Sequence, residues 1–76
     1  MDKQTKEKIS NRMSQVGIGE KLGVSSQAVG KWLRKGNIPP RRVIPLCQIL
    51  NWEVTPHEVD PMSYPNPTDG LPNQEG

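Results

Sequence analysis

The chain has 76 residues, of which 32% are apolar and only three are aromatic, so we expect one small domain with a thin core. Its single cysteine excludes an internal disulfide, and no apolar run approaches the roughly 20 residues that a membrane-spanning helix needs. All ten Lys and Arg lie in residues 1–42 beside only three acids, whereas residues 43–76 carry five acids and no base. This split favours one cationic surface with a polyanionic partner over an evenly solvated charged surface.

Three short helices are predicted in the first half of the chain. The first, from about Lys3 to Met13, is only weakly amphipathic. The second runs from Gln15 to Leu22 and the third from Ser26 to Lys35. Each of these two follows a serine, Ser14 or Ser25, whose hydroxyl is suited to cap a helix N-terminus.

A fourth helix follows the stiff connector at residues 38–40, and it contains a proline that the sequence alone does not place. If the helix begins at Pro40, Pro45 removes a hydrogen bond and distorts the first turn. Alternatively, the regular helix begins near Pro45. Thr55 and Glu58 have the spacing of a capping box and indicate a short last helix or a turn. Residues 52–54 are too few to predict a strand.

From Pro61 onward the sequence PMSYPNPTDGLPNQEG is rich in Pro, Asn and Gly and has no periodicity. Such a segment buries too little to offset its ordering entropy, so we predict a disordered tail over residues 61–76. The folded unit is then residues 1–60. We predict an all-α fold, a compact domain of four to five helices.

The second and third helices are separated only by residues 23–25, which is the layout of a helix-turn-helix over about residues 15–35. Gly23 permits the sharp turn by taking a left-handed conformation. One set of side chains is predicted to hold the pair together: Ile18, Leu22, Val24, Val29, Trp32 and Leu33. The first and fourth helices must complete this core.

The segment SQVGIGEKLGVSSQAVGKWLRKGNIPPRRV resembles the phage Cro and repressor group of helix-turn-helix proteins. LGVSSQAVGKWL is similar to the turn and recognition helix of the small family that includes Cro-like prophage regulators and the YdaS antitoxin. NIPPRRV and EVTPHEVDPMSYP resemble the following helix and the closing segment of that family, so the likeness spans residues 14–65. The resemblance implies a lambda-repressor-like DNA-binding domain. Two residues depart from the family pattern, because Gly19 replaces the usual Ala and Gly30 replaces a common Ser.

The resemblance also implies that the third helix lies in the major groove of double-stranded DNA. Four residues away from its apolar stripe are then expected to face base edges: Ser26, Gln27, Gly30 and Lys31. Gln27 suits adenine, Lys31 suits guanine, and Gly30 permits close approach or leaves room for a thymine methyl. Phosphate contacts are expected from Gln15, Lys21, Ser25, Arg34, Lys35, Arg41 and Arg42. About five neutralised phosphates predict a slope of log K against log salt of roughly −4 to −5.

The other chemically notable side chains have plainer interpretations. Cys47 is expected to be a small core residue and not a nucleophile, and Trp32 a core residue and not a base-stacking platform. Trp52 is left with two interpretations, a cover for the core or a dimer contact. His57 is expected to be a partly exposed side chain, since no metal-ligand or catalytic cluster accompanies it. We therefore expect no enzyme activity, no metal, no cofactor and no small-molecule ligand.

The predicted function is that of a sequence-specific transcriptional regulator, a Cro-type repressor of phage or prophage origin. We expect a two-fold symmetric operator and a weak homodimer, with assembly only on the DNA as an alternative. The expected setting is the cytoplasm of a bacterial host cell, without membrane contact. The alternative function is an antitoxin or adaptor that acts mainly through a protein partner, which the acidic residues 53–76 could dock.

Overall fold

The computed structural model describes residues 1–72 of the chain, and within them it contains five α-helices and no strand. The all-helical prediction is therefore confirmed, with the second and third helices at their predicted bounds and the first one residue shorter at its end. The helices are α1 (Lys3–Arg12), α2 (Gln15–Leu22), α3 (Ser26–Lys35), α4 (Pro40–Ile49) and α5 (Pro56–Val59).

Local hydrogen bonds explain where α2 and α3 begin and end. The Ser14 hydroxyl accepts a hydrogen bond from the Gly17 N–H at 3.0 Å, and the Ser25 hydroxyl accepts one from the Ala28 N–H at 3.1 Å. These bonds satisfy N–H groups that lack a partner in the first turn of a helix. Gly23 ends α2 with a φ of 75°, the left-handed conformation that glycine adopts at little cost. Both predicted serine caps are confirmed.

The helix α4 begins at Pro40 and continues through Pro45, so the first of the two alternatives for this proline is the correct one. Pro45 has no N–H to donate to the preceding turn. The helix persists because burial of its apolar side chains stabilises it, and Val43 and Leu46 are almost fully removed from solvent. After α4 the chain takes two successive left-handed residues, Asn51 with a φ of 57° and Trp52 with a φ of 61°.

One hydrophobic core receives side chains from every helix. Its buried members are Ile9, Ile18, Val29, Leu33, Ile38, Val43, Leu46, Cys47, Leu50, Val54 and Val59. Trp32 and Trp52 are partly buried and pack against this cluster. The packing supports the core interpretation of Trp32 and the core-cover interpretation of Trp52. At roughly 25 cal/mol per Å² of apolar area buried, a core this small leaves a modest stability.

Hydrogen bonds stabilise α5 and the segment after it, which has no regular secondary structure. The Thr55–Glu58 capping box is present, since the Thr55 N–H donates to Glu58 Oε1 at 3.0 Å and the Glu58 N–H donates to Thr55 Oγ1 at 3.2 Å. Residues 61–72 form turns, and Tyr64 packs against the core. The predicted disorder of residues 61–76 stays a prediction, and its last four residues lie outside the described ones. No helix within residues 1–72 is long and apolar enough to cross a membrane.

Candidate nucleic-acid interface

The helices α2 and α3 meet at a very close turn. The Val24 N–H donates to the Gly19 carbonyl oxygen at 2.9 Å, and Gly19 itself is buried. A Cβ atom at residue 19 would lie 2.6 Å from the Val24 carbonyl oxygen and 3.3 Å from two backbone atoms of Ser25 and Ser26. The absence of a side chain at residue 19 therefore lets the turn pack directly on α2.

The outward side of α3 carries most of the predicted base-contacting residues. Gln27 and Lys31 are exposed, and Ser26 is half-buried at the first position of the helix. Val29 and Leu33 point into the core from the same helix. The helix thus separates a polar side, free to meet a partner, from the apolar side that fixes it to the domain.

Gly30 differs from the other three predicted base-contacting residues, because it is buried. The side chain of Gln15, from the start of α2, lies over it, and the guanidinium of Arg34 flanks the same position. The space beside Gly30 therefore holds a side chain from the neighbouring helix. This contact was not predictable from the sequence, because it depends on how two helices cross and not on the spacing of residues along either helix.

Six of the seven residues expected at phosphates are exposed: Gln15, Lys21, Ser25, Arg34, Lys35 and Arg41. Arg42 is half-buried, and its Nη1 donates to the Leu22 carbonyl oxygen at 3.2 Å. Arg42 therefore ties α4 to the C-terminal end of α2. This structural role was not foreseen from the sequence, and the expected phosphate contact of Arg42 stays a prediction.

A groove of about 310 Å³ lies beside the C-terminal half of α3. Its lining combines two cations and one aromatic side chain with the connector to α4: Lys31, Trp32, Lys35, Asn37, Pro39 and Pro40. Trp32 lines this groove and also packs against the core.

Two ion pairs at the surface join basic residues of α1 to acidic residues of the C-terminal part of the described chain. Lys8 Nζ lies 2.8 Å from Glu58 Oε2, and Arg12 Nη2 lies 3.9 Å from Glu53 Oε2. Burial raises the pKa of Glu58, but hydrogen bonds from Lys8 and Thr55 outweigh it and hold that pKa below the ordinary value of 4.5. Between residues 13 and 42, six basic residues accompany a single acid, Glu20, and neither ion pair seen in residues 1–72 involves them. Unpaired positive charge is therefore concentrated on α2, α3 and the start of α4, and Lys3 and Lys6 on α1 add to it.

The two other chemically notable side chains, Cys47 and His57, are buried and half-buried, respectively. Cys47 is buried, and burial together with the nearby Glu58 carboxylate raises the pKa of its thiol to about 12. It is the core residue that the sequence predicted. His57 is half-buried and its Nδ1 lies 2.8 Å from the Tyr64 carbonyl oxygen. No group of three or more His, Cys, Asp or Glu in residues 1–72 is arranged to hold a metal ion.

Comparison with known proteins adds one finding. A family model described as bacterial toxin YdaS matches residues 6–67. This span includes most of α1, all of the other helices and seven residues beyond the predicted boundary at residue 60. Neither a curated protein nor a solved structure matches the chain.

Proposed function

This chain belongs to the YdaS family, a small prophage-associated family, and we propose that it is a sequence-specific regulator of transcription that binds double-stranded DNA. In this proposal it is a Cro-type repressor of phage or prophage origin. The observation that carries the proposal is the geometry of α3. Its apolar side is fixed by the core and by α2, while its opposite side presents Gln27 and Lys31 to solvent.

The proposed mode of binding places α3 in the major groove of the duplex, whose width admits an α-helix. The Gln27 carboxamide is suited to adenine, because its donor and acceptor match N7 and N6. The Lys31 ammonium is suited to guanine O6 and N7. Both side chains are exposed, so neither has to leave a partner within the protein before it reaches a base.

The charge distribution supports a nucleic acid as the partner. Six of the eight basic residues without an ion pair in residues 1–72 lie on α2, α3 and α4, among them Lys21, Arg34, Lys35 and Arg41. Such a surface attracts the phosphate backbone at long range and releases counterions on contact. The proposed activity is binding alone, without catalysis or a cofactor, in the bacterial cytoplasm. Two subunits on a symmetric site would place their α3 helices about 34 Å apart, one turn of DNA.

The test is selection of bound duplexes from a random pool, followed by titration of two matched lysine variants. Both Lys21 and Lys31 are exposed on a helix, so each can be replaced by Ala without disturbing the core. Lys31→Ala should cost about 1–3 kcal/mol on the selected duplex and relax the preference at one base pair. Lys21→Ala should weaken binding to all duplexes alike and reduce the salt slope by about 1. Enrichment of no duplex at moderate salt, or identical behaviour of both variants and the parent chain, would rule out this mode of binding.

A second candidate function is that of an antitoxin or adaptor in a toxin–antitoxin system. It is supported by the description of the family, which names a toxin. The resemblance described in the sequence analysis named an antitoxin. A protein of this kind would act mainly through a protein partner, and the acidic side chains of residues 53–76 would dock a basic one. Part of that charge is already paired with α1 through Glu53 and Glu58, which weakens this candidate. Capture of a partner by the full chain, lost after removal of residues 61–76 and unaffected by Lys31→Ala, would favour it over DNA binding.

A further inference from the structure

The middle of α3 contains a slot that a side chain from α2 fills. Gly30 lies between the exposed Gln27 and Lys31 in sequence, yet it is buried. The atom nearest to the position of its missing Cβ is Gln15 Oε1, and the Gln15 Cδ atom lies 3.3 Å from that position. The carboxamide of Gln15 is therefore seated on the backbone of α3.

This placement of the Gln15 side chain requires glycine at residue 30. A Cβ built on residue 30 would lie 2.8 Å from Gln15 Oε1, closer than the 3.0 Å below which real Cβ contacts essentially do not occur. Any other residue would displace the Gln15 side chain. Glycine is also unfavourable inside a helix, so its presence in α3 is accounted for by what it makes room for.

The guanidinium of Arg34 lies beside the same slot. Arg34 Nη1 lies 3.3 Å from the same Cβ position, to which Gln15 Oε1 is the nearest atom. A guanidinium only donates hydrogen bonds, so it favours the oxygen of the carboxamide on its own side. The NH₂ group of Gln15 is then left to donate to a partner outside the protein, since Gln15 is exposed.

We propose that Gln15 reads a base edge in the major groove and that Gly30 sets its position. The reading surface then consists of α3 and one carboxamide supplied by α2, which donates to an acceptor atom on a base. This inference rests on the proposed DNA-binding function and changes the part that Gln15 plays in it. A phosphate contact of Gln15 would strengthen binding to every sequence, whereas a base contact discriminates between sequences.

The experiment compares duplex selection by four forms of the full chain: the parent, Gln15→Ala, Gly30→Ala and the double variant. Each is used to enrich bound duplexes from a random pool, and binding is then titrated on the parent's selected duplex and on its single-base-pair changes. Gln15→Ala and Gly30→Ala should both lose the preference at the same base pair, by roughly fivefold to a hundredfold. The double variant should lose no more than either single variant, because both remove one contact.

Gly17→Ala is the matched control. It is the same chemical change on α2, but the atoms nearest to its new Cβ belong to the side chains of Met13 and Ser14. It should keep the parent's preference at every base pair. Gly30→Ala is expected to fold, because the atom it displaces is the tip of a flexible side chain, and thermal unfolding checks this.

The outcomes separate this inference from the proposed function. If the parent enriches no duplex, the proposed function fails and the inference fails with it. If the parent enriches a duplex that Gly30→Ala prefers equally, or if Gln15→Ala weakens all duplexes alike, only the inference is overturned. An independent measurement needs no DNA: the free chain should show nuclear Overhauser effects between the side-chain protons of Gln15, its methylene protons included, and the Gly30 α-protons. Its absence would also overturn the inference, even if Gly30→Ala failed to fold.

Discussion

The contact between Gly19 and the turn leads to a sharp prediction for Gly19→Ala. The new Cβ would lie 2.6 Å from the Val24 carbonyl oxygen, so α2 and the turn must separate by about 0.8 Å to reach the 3.4 Å of ordinary contact. The obstacle is backbone, which cannot rotate away as a side chain does. Overpacking of this kind costs typically 1–3 kcal/mol, against which Ala recovers about 1 kcal/mol of helix propensity. We expect a net loss of about 1–2 kcal/mol, since the strained bond from Val24 to the Gly19 carbonyl weakens as well.

Thermal unfolding followed by circular dichroism measures this loss. A change of about 1–2 kcal/mol corresponds to a decrease in Tm of roughly 4–16 °C for a domain of this size. The matched control is Gly17→Ala on the same helix, where the neighbours are movable side chains and the expected Tm is unchanged or higher. A Gly19→Ala chain as stable as the parent would refute the argument from backbone contact. It would mean that the turn moves away from α2 at no cost.

Three further predictions concern stability and reactivity. Because the folded pKa of Glu58 lies below 4.5, its contribution to stability is present above that pH and is lost as the pH falls through the lowered pKa. In urea titrations, the free energy of unfolding of Glu58→Gln should therefore fall less steeply than that of the parent chain as the pH decreases below about 4.5. A decrease as steep as the parent's would contradict this. The Cys47 thiol, with its pKa raised to about 12, should react with an aromatic disulfide reagent only as fast as the chain unfolds. Immediate reaction in the absence of denaturant would show that the thiol is accessible. Asn51 has a φ of 57°, so Asn51→Ala should destabilise the fold by about 1 kcal/mol while Asn51→Gly should not. Equal urea midpoints for these two variants would count against strain at this residue.

The helices that local chemistry defines were predicted well from the sequence. Serine caps and a left-handed glycine mark the ends of α2 without reference to the rest of the fold, and the structure confirms Ser14, Ser25 and Gly23 in these roles. Pro45 could not be placed, because a proline argued against a helix while the apolar residues around it argued for one. The helix forms because Val43 and Leu46 are buried. Burial depends on the whole fold, so the sequence around Pro45 could not show it.

The candidate site was predictable only where one helix determines it. The periodicity of α3 correctly separated exposed Gln27 and Lys31 from buried Val29 and Leu33. Contacts between elements were not predictable. The placement of Gln15 over Gly30 depends on the crossing of α2 and α3, and the hydrogen bond from Arg42 to the Leu22 carbonyl depends on how α4 docks.

The ion pairs of α1 have a consequence for the order in which the chain folds and opens. Lys8 and Glu58 are 50 residues apart, whereas only three residues separate α2 from α3. Closing a long loop costs entropy before its contact is gained, and exposed pairs such as these return only about 0–1 kcal/mol each. We therefore expect α1 to dock after the helix pair and to detach before it, with α1 amides exchanging hydrogen through local opening and α2–α3 amides through global unfolding. Equal protection of both regions would exclude this order. The surface of α2 and α3 that is proposed to bind DNA would thus remain folded after α1 has detached.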